Sequence, residues 1–119
     1  MAIKTGLALA ALLLSLPLAS LSKEPVLVKN KSFERTRRML IDENWQPVNI
    51  HKTDGYEYTG SERRLLKKGY HEVESCAMDK PYCIFNYAKN GECLRLITFG
   101  EQIKDMKTYQ WSDECPSTE

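Results

Sequence analysis

The strongest alternation of apolar and polar positions runs from Tyr82 to Ala88 and resumes, after Asn90-Gly91, from Glu92 to Phe99. Strand side chains point to opposite faces in turn, and Asn-Gly accepts the positive φ angles of a type I′ turn. A two-residue loop there predicts a hairpin with Ala88 opposite Cys93, Asn86 opposite Arg95, Ile84 opposite Ile97 and Tyr82 opposite Phe99. The alternate face carries Tyr87 with Leu94, Phe85 with Leu96, and Cys83 with Thr98. One further strand is expected on each side, Glu74–Met78 before the hairpin and Lys107–Cys115 after it.

All four cysteines fall in this region, and four cysteines allow three pairings. Strand symmetry favours one of them. Cys76 and Cys83 lie symmetrically about Asp79-Lys80, inside the turn Met-Asp-Lys-Pro. Cys93 and Cys115 lie symmetrically about Lys104, inside the polar stretch Gly100–Lys107. Cys83 and Cys93 are not opposed across Asn90-Gly91. The prediction is Cys76–Cys83 and Cys93–Cys115.

The second symmetry also sets Arg95 beside Asp113, Ile97 beside Trp111 and Phe99 beside Tyr109. One face then gathers Tyr82, Ile84, Ile97, Phe99, Tyr109 and Trp111; the other gathers Phe85, Tyr87, Leu94 and Leu96. A sheet covered by helices on one side is expected to be apolar on one face only. Three explanations stay open. A bulge or register slip returns the last-strand aromatics to the core, a tail or loop crosses the second face, or an exposed aromatic patch marks a binding surface.

Upstream the period changes to that of a helix. Phe33, Thr36, Leu40 and Ile41 recur at helical spacing over Ser32–Glu43, with Glu34, Arg35, Arg38 and Asp42 facing outward. Ser32 suits the N-cap, Asn44 the left-handed stop and Trp45 the hydrophobic closure. Trp45–His51 reads as extended, with Pro47 confining it to an edge. Lys23–Lys31 reads as an arm whose Val26-Leu27-Val28 can pair at a sheet edge.

A second unit repeats the first. Thr59-Gly60-Ser61-Glu62 fits a capping box, the helix continues through Leu65 and Leu66, and Gly69 closes it before Tyr70. Aligned without gaps, RMLIDENWQPV (Arg38–Val48) and RRLLKKGYHEV (Arg63–Val73) share Arg, Leu and Val, with Asn facing Gly and Trp facing Tyr. Both read as helix, left-handed stop, aromatic, strand; convergence on one capping solution accounts for this better than duplication. Between the units, His51–Tyr58 holds the turn Asp54-Gly55 flanked by Tyr56 and Tyr58. These tyrosines either pack back on the sheet or extend a recognition surface.

Met1–Ser22 reads as a secretory leader: Lys4, an apolar run Gly6–Leu16, then small residues that place cleavage before Lys23. The run is too short for a lasting membrane span, and no cysteine follows that would suggest a lipid anchor. The expected product is one α+β domain over 23–119, periplasmic or secreted, with disulfides in an oxidising compartment. Losing Lys4 leaves 16 basic residues against 16 acidic ones, a balance that argues against a dedicated nucleic-acid binder.

The run GYHEVESCAMDKPYCIFNYAKNGECLRLITFGE, Gly69–Glu101, resembles a pattern in small exported proteobacterial proteins of uncharacterised function. There a helix ending in Gly-aromatic leads to a cysteine strand, then Cys-x-Phe-x-Tyr, a glycine turn and a strand ending in Gly-Glu. The helix-Asn-Trp-x-Pro-Val segment is similar too. That resemblance implies export and no particular activity. The outline of helices on an antiparallel sheet also resembles one half of a beta-lactamase inhibitory protein, whose sheet face binds an enzyme; no residue carries over.

Catalytic patterns are missing from the sequence. His51 and His71 are the only histidines, with no clustered third ligand beside them. An even cysteine count leaves no thiol nucleophile to expect, and no phosphate loop, nucleophile elbow or His-Glu-x-x-His occurs. Glu72, Glu74, Asp113 and Glu114 read as solvated strand carboxylates. Arg35, Arg37, Arg38, Arg63, Arg64, Lys67 and Lys68 read as outer helix faces paired with Glu34, Asp42, Glu43 and Glu62.

The expectation is therefore two short helices packed on a disulfide-stapled antiparallel sheet of about four strands, not an enzyme, with no metal or cofactor. Its reading is an envelope binding module that inhibits or neutralises another envelope or secreted protein. The expected site is Tyr56, Tyr58, Tyr82, Phe99, Tyr109 and Trp111. The alternative is a structural or stress-related envelope protein that meets anionic lipid or polysaccharide through its basic helices.

Overall fold

The computed structural model describes residues 25–117. The leader expected over Met1–Ser22, and its cleavage before Lys23, lie outside them. The described chain runs α1 (Phe33–Asp42), β1 (Gln46–Pro47), α2 (Ser61–Lys67), β2 (Val73–Cys76), β3 (Tyr82–Lys89), β4 (Glu92–Phe99), a 3₁₀ turn (Ile103–Asp105) and β5 (Lys107–Ser112). It is an α+β fold with one antiparallel sheet of five strands. The fifth is β1, the edge segment containing Pro47.

Each helix is started and stopped by local chemistry. Ser32 Oγ accepts from the Arg35 N–H, Asn44 takes a φ of 71°, and the Trp45 N–H returns to the Leu40 carbonyl at 2.9 Å. In the second unit Gly69 takes a φ of 84°, and the Tyr70 N–H returns to the Leu65 carbonyl at 3.0 Å. Leu40 and Leu65 are both fully buried. The two units make one stop, atom for atom.

Ile41 corrects the expected stripe on α1. Phe33, Thr36 and Leu40 are buried, but Ile41 is exposed. Leu40 lies about 20° and Thr36 about 60° to one side of Phe33 around the helix, whereas Ile41 lies about 80° to the other. It sits on the flank of the stripe. The capping box on α2 is half made: Glu62 reaches back to the Thr59 N–H at 2.9 Å, while Gly60 holds the N-cap position with no side-chain bond.

The units converge on one strand. β1 pairs with the Tyr87–Ala88 end of β3 and β2 with its Cys83–Phe85 end, so the two short strands lie end to end along one edge. They meet at Asn86, whose N–H donates to the Glu72 carbonyl and whose carbonyl accepts from the Val48 N–H. β4 occupies the other edge in the predicted register, with Asn90 and Gly91 at φ 50° and 82°. Both predicted disulfides form, Cys76–Cys83 and Cys93–Cys115.

The last pairing differs from expectation. Trp111 lies opposite Leu96, not Ile97; Gln110 lies opposite Ile97, and Lys107 rather than Tyr109 lies opposite Phe99. The connection explains the slip. Gly100 passes so near the next segment that a Cβ there would stand 2.5 Å from the Asp105 carbonyl oxygen. Met106 is then drawn into the core, and its carbonyl accepts the Phe33 N–H at 2.8 Å. β5 begins at Lys107 as expected but enters its pairing with β4 ahead of the expected register, and an irregularity between Ile97 and Thr98 takes up Tyr109 as an extra residue. The N-terminal arm docks on β5 later than expected, through Asn30 and Lys31 at Thr108 rather than Val26–Val28.

The helices cover the face bearing Phe85, Tyr87, Leu94, Leu96, Thr98 and Thr108, all buried. Phe33 stacks on Phe85 with ring centroids 4.2 Å apart. Thr108 Oγ1 donates to Thr36 Oγ1 at 3.1 Å, tying α1 to β5.

Candidate functional site

Alternation places Tyr82, Ile84, Ile97 and Phe99 on the face away from the helices, and the bulge keeps Tyr109 beside them. Tyr82 is the hub, with ring centroids 5.2 Å from both Phe99 and Tyr109; Phe99 and Tyr109 are 6.3 Å apart. The rings are inclined by 39–60° to one another, so they form a ridged patch rather than a flat platform. Phe99 is 46% and Tyr109 37% exposed. Lys29 Nζ stands 5.6 Å from the Tyr109 centroid, putting a cation at the rim. Tyr82 and the exposed Met78 border one groove beside the Cys76–Cys83 bridge.

The other end of this face is polar. Asn86 Nδ2 donates to Glu74 Oε1 at 2.9 Å, and Arg95 reaches Glu74 Oε2 at 3.3 Å. Glu74 is thus an internal brace rather than the solvated carboxylate expected. Glu72 departs further: fully buried, it accepts from Arg37 Nε and from the Tyr87 hydroxyl, each at 2.6 Å. Arg37 stacks 4.1 Å from the Tyr70 centroid. Burial works against the Arg37 charge, but the hydrogen bond and charge of Glu72 outweigh it and raise its pKa. Burial and the Glu72 charge push the Tyr87 phenol well up.

Trp111 leaves the predicted patch. The register correction carries it to the helix side, where it borders a pocket with Trp45, Leu27 and Leu94. Tyr56 and Tyr58 also assemble elsewhere, around His51. The Tyr56 ring stacks on the imidazole at 3.9 Å, and the Tyr58 ring meets it edge-on at 5.6 Å. Tyr58 packs against the core. The Tyr56 hydroxyl donates to Glu62 Oε2 at 3.0 Å, and its pKa is pushed up to about 12 by burial and that hydrogen bond.

His51 Nδ1 lies 2.8 Å from Asp54 Oδ2 and Nε2 lies 2.7 Å from the Glu74 carbonyl oxygen. An ionised carboxylate and a carbonyl only accept, so two N–H donors are needed: the geometry is that of an imidazolium. Burial opposes the charge, but the bonds to Asp54 and Glu74 prevail, and the His51 pKa is raised above 6.5. A raised folded-state pKa gives stability fully present below the unfolded value, about 6.5, and lost as pH rises through the folded value. The stability difference between wild type and His51→Gln should therefore shrink as pH climbs from 6 to about 9. Urea unfolding across that range measures it; a constant difference would mean that His51 acts by packing alone.

The basic clusters are partly consumed. Arg37 is held by Glu72, and Lys68 Nζ by Glu34 at 2.9 Å. Glu62 is buried and faces inward, so it is no surface partner. Arg35, Arg38, Arg63 and Lys67 remain exposed. Between the arm and α1 runs a groove of about 700 Å3 bordered by Val26, Val28 and Met39, with Lys31, Arg35 and Arg38, and also Asp42 and Glu43, beside them. His71 is exposed, and among the described residues no three His, Cys, Asp or Glu gather as a metal-binding group.

Glu62, Glu72 and His51 are organising groups; sequence reasoning missed Glu72 and His51 and read Glu62 only as a capping-box member and surface partner. Only Glu62 carried a signal, the Thr-x-x-Glu spacing. No family model, curated protein or solved structure matches the chain.

Proposed function

We propose that the protein is a non-enzymatic binding module that engages another envelope or secreted protein through the open sheet face, with Tyr82, Phe99 and Tyr109 as contacts. The observation that carries this reading is the exposure of Phe99 and Tyr109, 46% and 37%, on a sheet held by two disulfides. Exposed, adjoining aromatics on a rigid support bury much apolar area at small entropic cost when a partner covers them. The disulfides fit folding in an oxidising compartment, and among the described residues no helix is long and apolar enough to cross a membrane.

The test is capture from envelope extract with oxidised protein, followed by titration of the purified partner. Phe99→Ala with Tyr109→Ala should weaken that affinity by about 2 kcal/mol or more, roughly thirty-fold. The near-UV spectrum and melting midpoint of the variant should stay close to wild type. An unchanged affinity would remove the open face as the contact surface.

A second reading rests on the groove between the arm and α1. Its apolar walls carry three basic side chains, Lys31, Arg35 and Arg38, against two acidic ones, Asp42 and Glu43, and the basic excess suits an anionic amphiphile. Sedimentation with vesicles containing anionic lipid should then fall steeply as salt rises; no sedimentation at low salt discards it.

A further inference from the structure

The turn that joins β3 to β4 carries a reactive site, and it does not rest on the open-face reading. Asparagine side chains are chemically labile, because the backbone nitrogen of the next residue can attack the carboxamide carbon. Of the asparagines in the chain, Asn90 alone is followed by glycine. The fold shields the others. The nitrogens that follow Asn30 and Asn44 are engaged: the Lys31 N–H donates to the Val28 carbonyl, and the Trp45 N–H to the Leu40 carbonyl. The Asn49 side-chain oxygen accepts the His51 N–H. Asn86 is buried, and its amide donates to Glu74.

Asn90 has none of these restraints. It and Gly91 are exposed, with φ of 50° and 82°. Neither the Gly91 N–H nor the Asn90 side chain has a hydrogen-bond partner among the described residues. Nothing lies within 4 Å of where a Cβ on Gly91 would stand. Asp54-Gly55 offers the same attacking nitrogen. There the hydrogen bond from His51 holds the carboxyl ionised, and a carboxylate resists a nucleophile.

We propose that Asn90 is a deamidation site whose isoaspartate product loosens the hairpin tip. The Gly91 nitrogen loses its proton and bonds to Asn90 Cγ, and the Cγ–Nδ2 bond breaks with release of ammonia. Closing this imide turns the peptide out of its left-handed geometry, an excursion that an exposed, unpartnered tip allows. Water then opens the imide. Adding at Cγ, it restores the ordinary backbone with an aspartate; adding at the backbone carbonyl, it routes the chain through Cβ and Cγ. Asp-Gly suits a type I′ turn as Asn-Gly does, so the first product keeps the hairpin. The second lengthens the backbone of a two-residue loop and no longer holds Lys89 opposite Glu92. Fraying stops at Cys93, next in from that pair and stapled to Cys115.

The test incubates oxidised full-length protein in mildly alkaline buffer and follows it by peptide mapping with mass spectrometry. The mass shift that marks exchange of ammonia for water should appear at Asn90 while every other asparagine stays intact. Chromatography should separate aspartate and isoaspartate forms. Hydrogen exchange on the isoaspartate form should show lost protection at Lys89 and Glu92, with Phe85 and Leu96 unchanged. Asn90→Asp, which adds the charge without the longer backbone, should match wild type in exchange and melting midpoint. No conversion at Asn90 in the folded protein, equal conversion at another asparagine, isoaspartate forming as fast at Asp54, or an isoaspartate form with an intact tip would each overturn the assignment. An Asn90→Asp tip as frayed as the isoaspartate one would do so too, by assigning the loosening to charge.

Discussion

Arg37→Met should lower the unfolding free energy by about 3–5 kcal/mol, the cost of stripping a buried carboxylate of its cation. Glu72 is fully buried, and Arg37 reaches both its oxygens, through Nε at 2.6 Å and Nη2 at 3.2 Å. Methionine keeps an unbranched apolar stem but removes both the charge and the guanidinium that lies over Tyr70. The informative comparison is the triple variant Arg37→Met, Glu72→Met, Tyr87→Phe, which removes every polar member together. It should be markedly more stable than Arg37→Met alone, because no unpaired charge is left at that place in the core. Urea unfolding of both variants measures this. A triple variant as unstable as the single one would mean that the network is worth more than its desolvation penalty.

Glu62→Ala should cost about 2 kcal/mol, since a fully buried donor stranded without a partner costs about 1–3 kcal/mol and the three donors here are partly buried. Its carboxylate accepts from the Thr59 N–H, the Tyr56 hydroxyl and the Cys76 N–H, at 2.9, 3.0 and 2.8 Å. One side chain thereby joins the start of α2, the His51–Tyr58 loop and the β2 edge. The loss should be local in its signature: Tyr56 and His51 resonances should broaden or shift, while the β3–β4 hairpin amides stay put. If only α2 amides respond, Glu62 is a helix cap and no more.

These two carboxylates mark the limit of what the chain could be read for. The β3–β4 register was legible because Asn90-Gly91 fixes it from within a dozen residues, and the disulfides followed by symmetry. The helix stops were legible for the same reason: Asn44-Trp45 and Gly69-Tyr70 act on carbonyls five residues back. The β4–β5 register was not, because it depends on Gly100 meeting Asp105 and on Met106 entering the core, neither of which alternation records. That one-residue slip moved Trp111 from the predicted patch to the opposite side. Glu72 looks like any strand carboxylate until α1 lays Arg37 over it. Tyr82, Phe99 and Tyr109 stayed together because a bulge residue can keep its side despite the slip.

The stoppers along the sheet bear on how the protein keeps its strands to itself. β3 has both sides occupied along its length, β4 on one and β1 with β2 on the other. The outward-facing Glu74 carbonyl and Cys76 N–H of β2 are taken by His51 and Glu62, and Thr108 on β5 is taken by the arm. A second chain seeking to extend the sheet finds those backbone groups already spoken for, at both margins. Resistance to strand-by-strand polymerisation is thus assigned to an imidazole, a carboxylate and two arm residues, and the aromatic patch can stay exposed without an adjoining open β-edge at those positions.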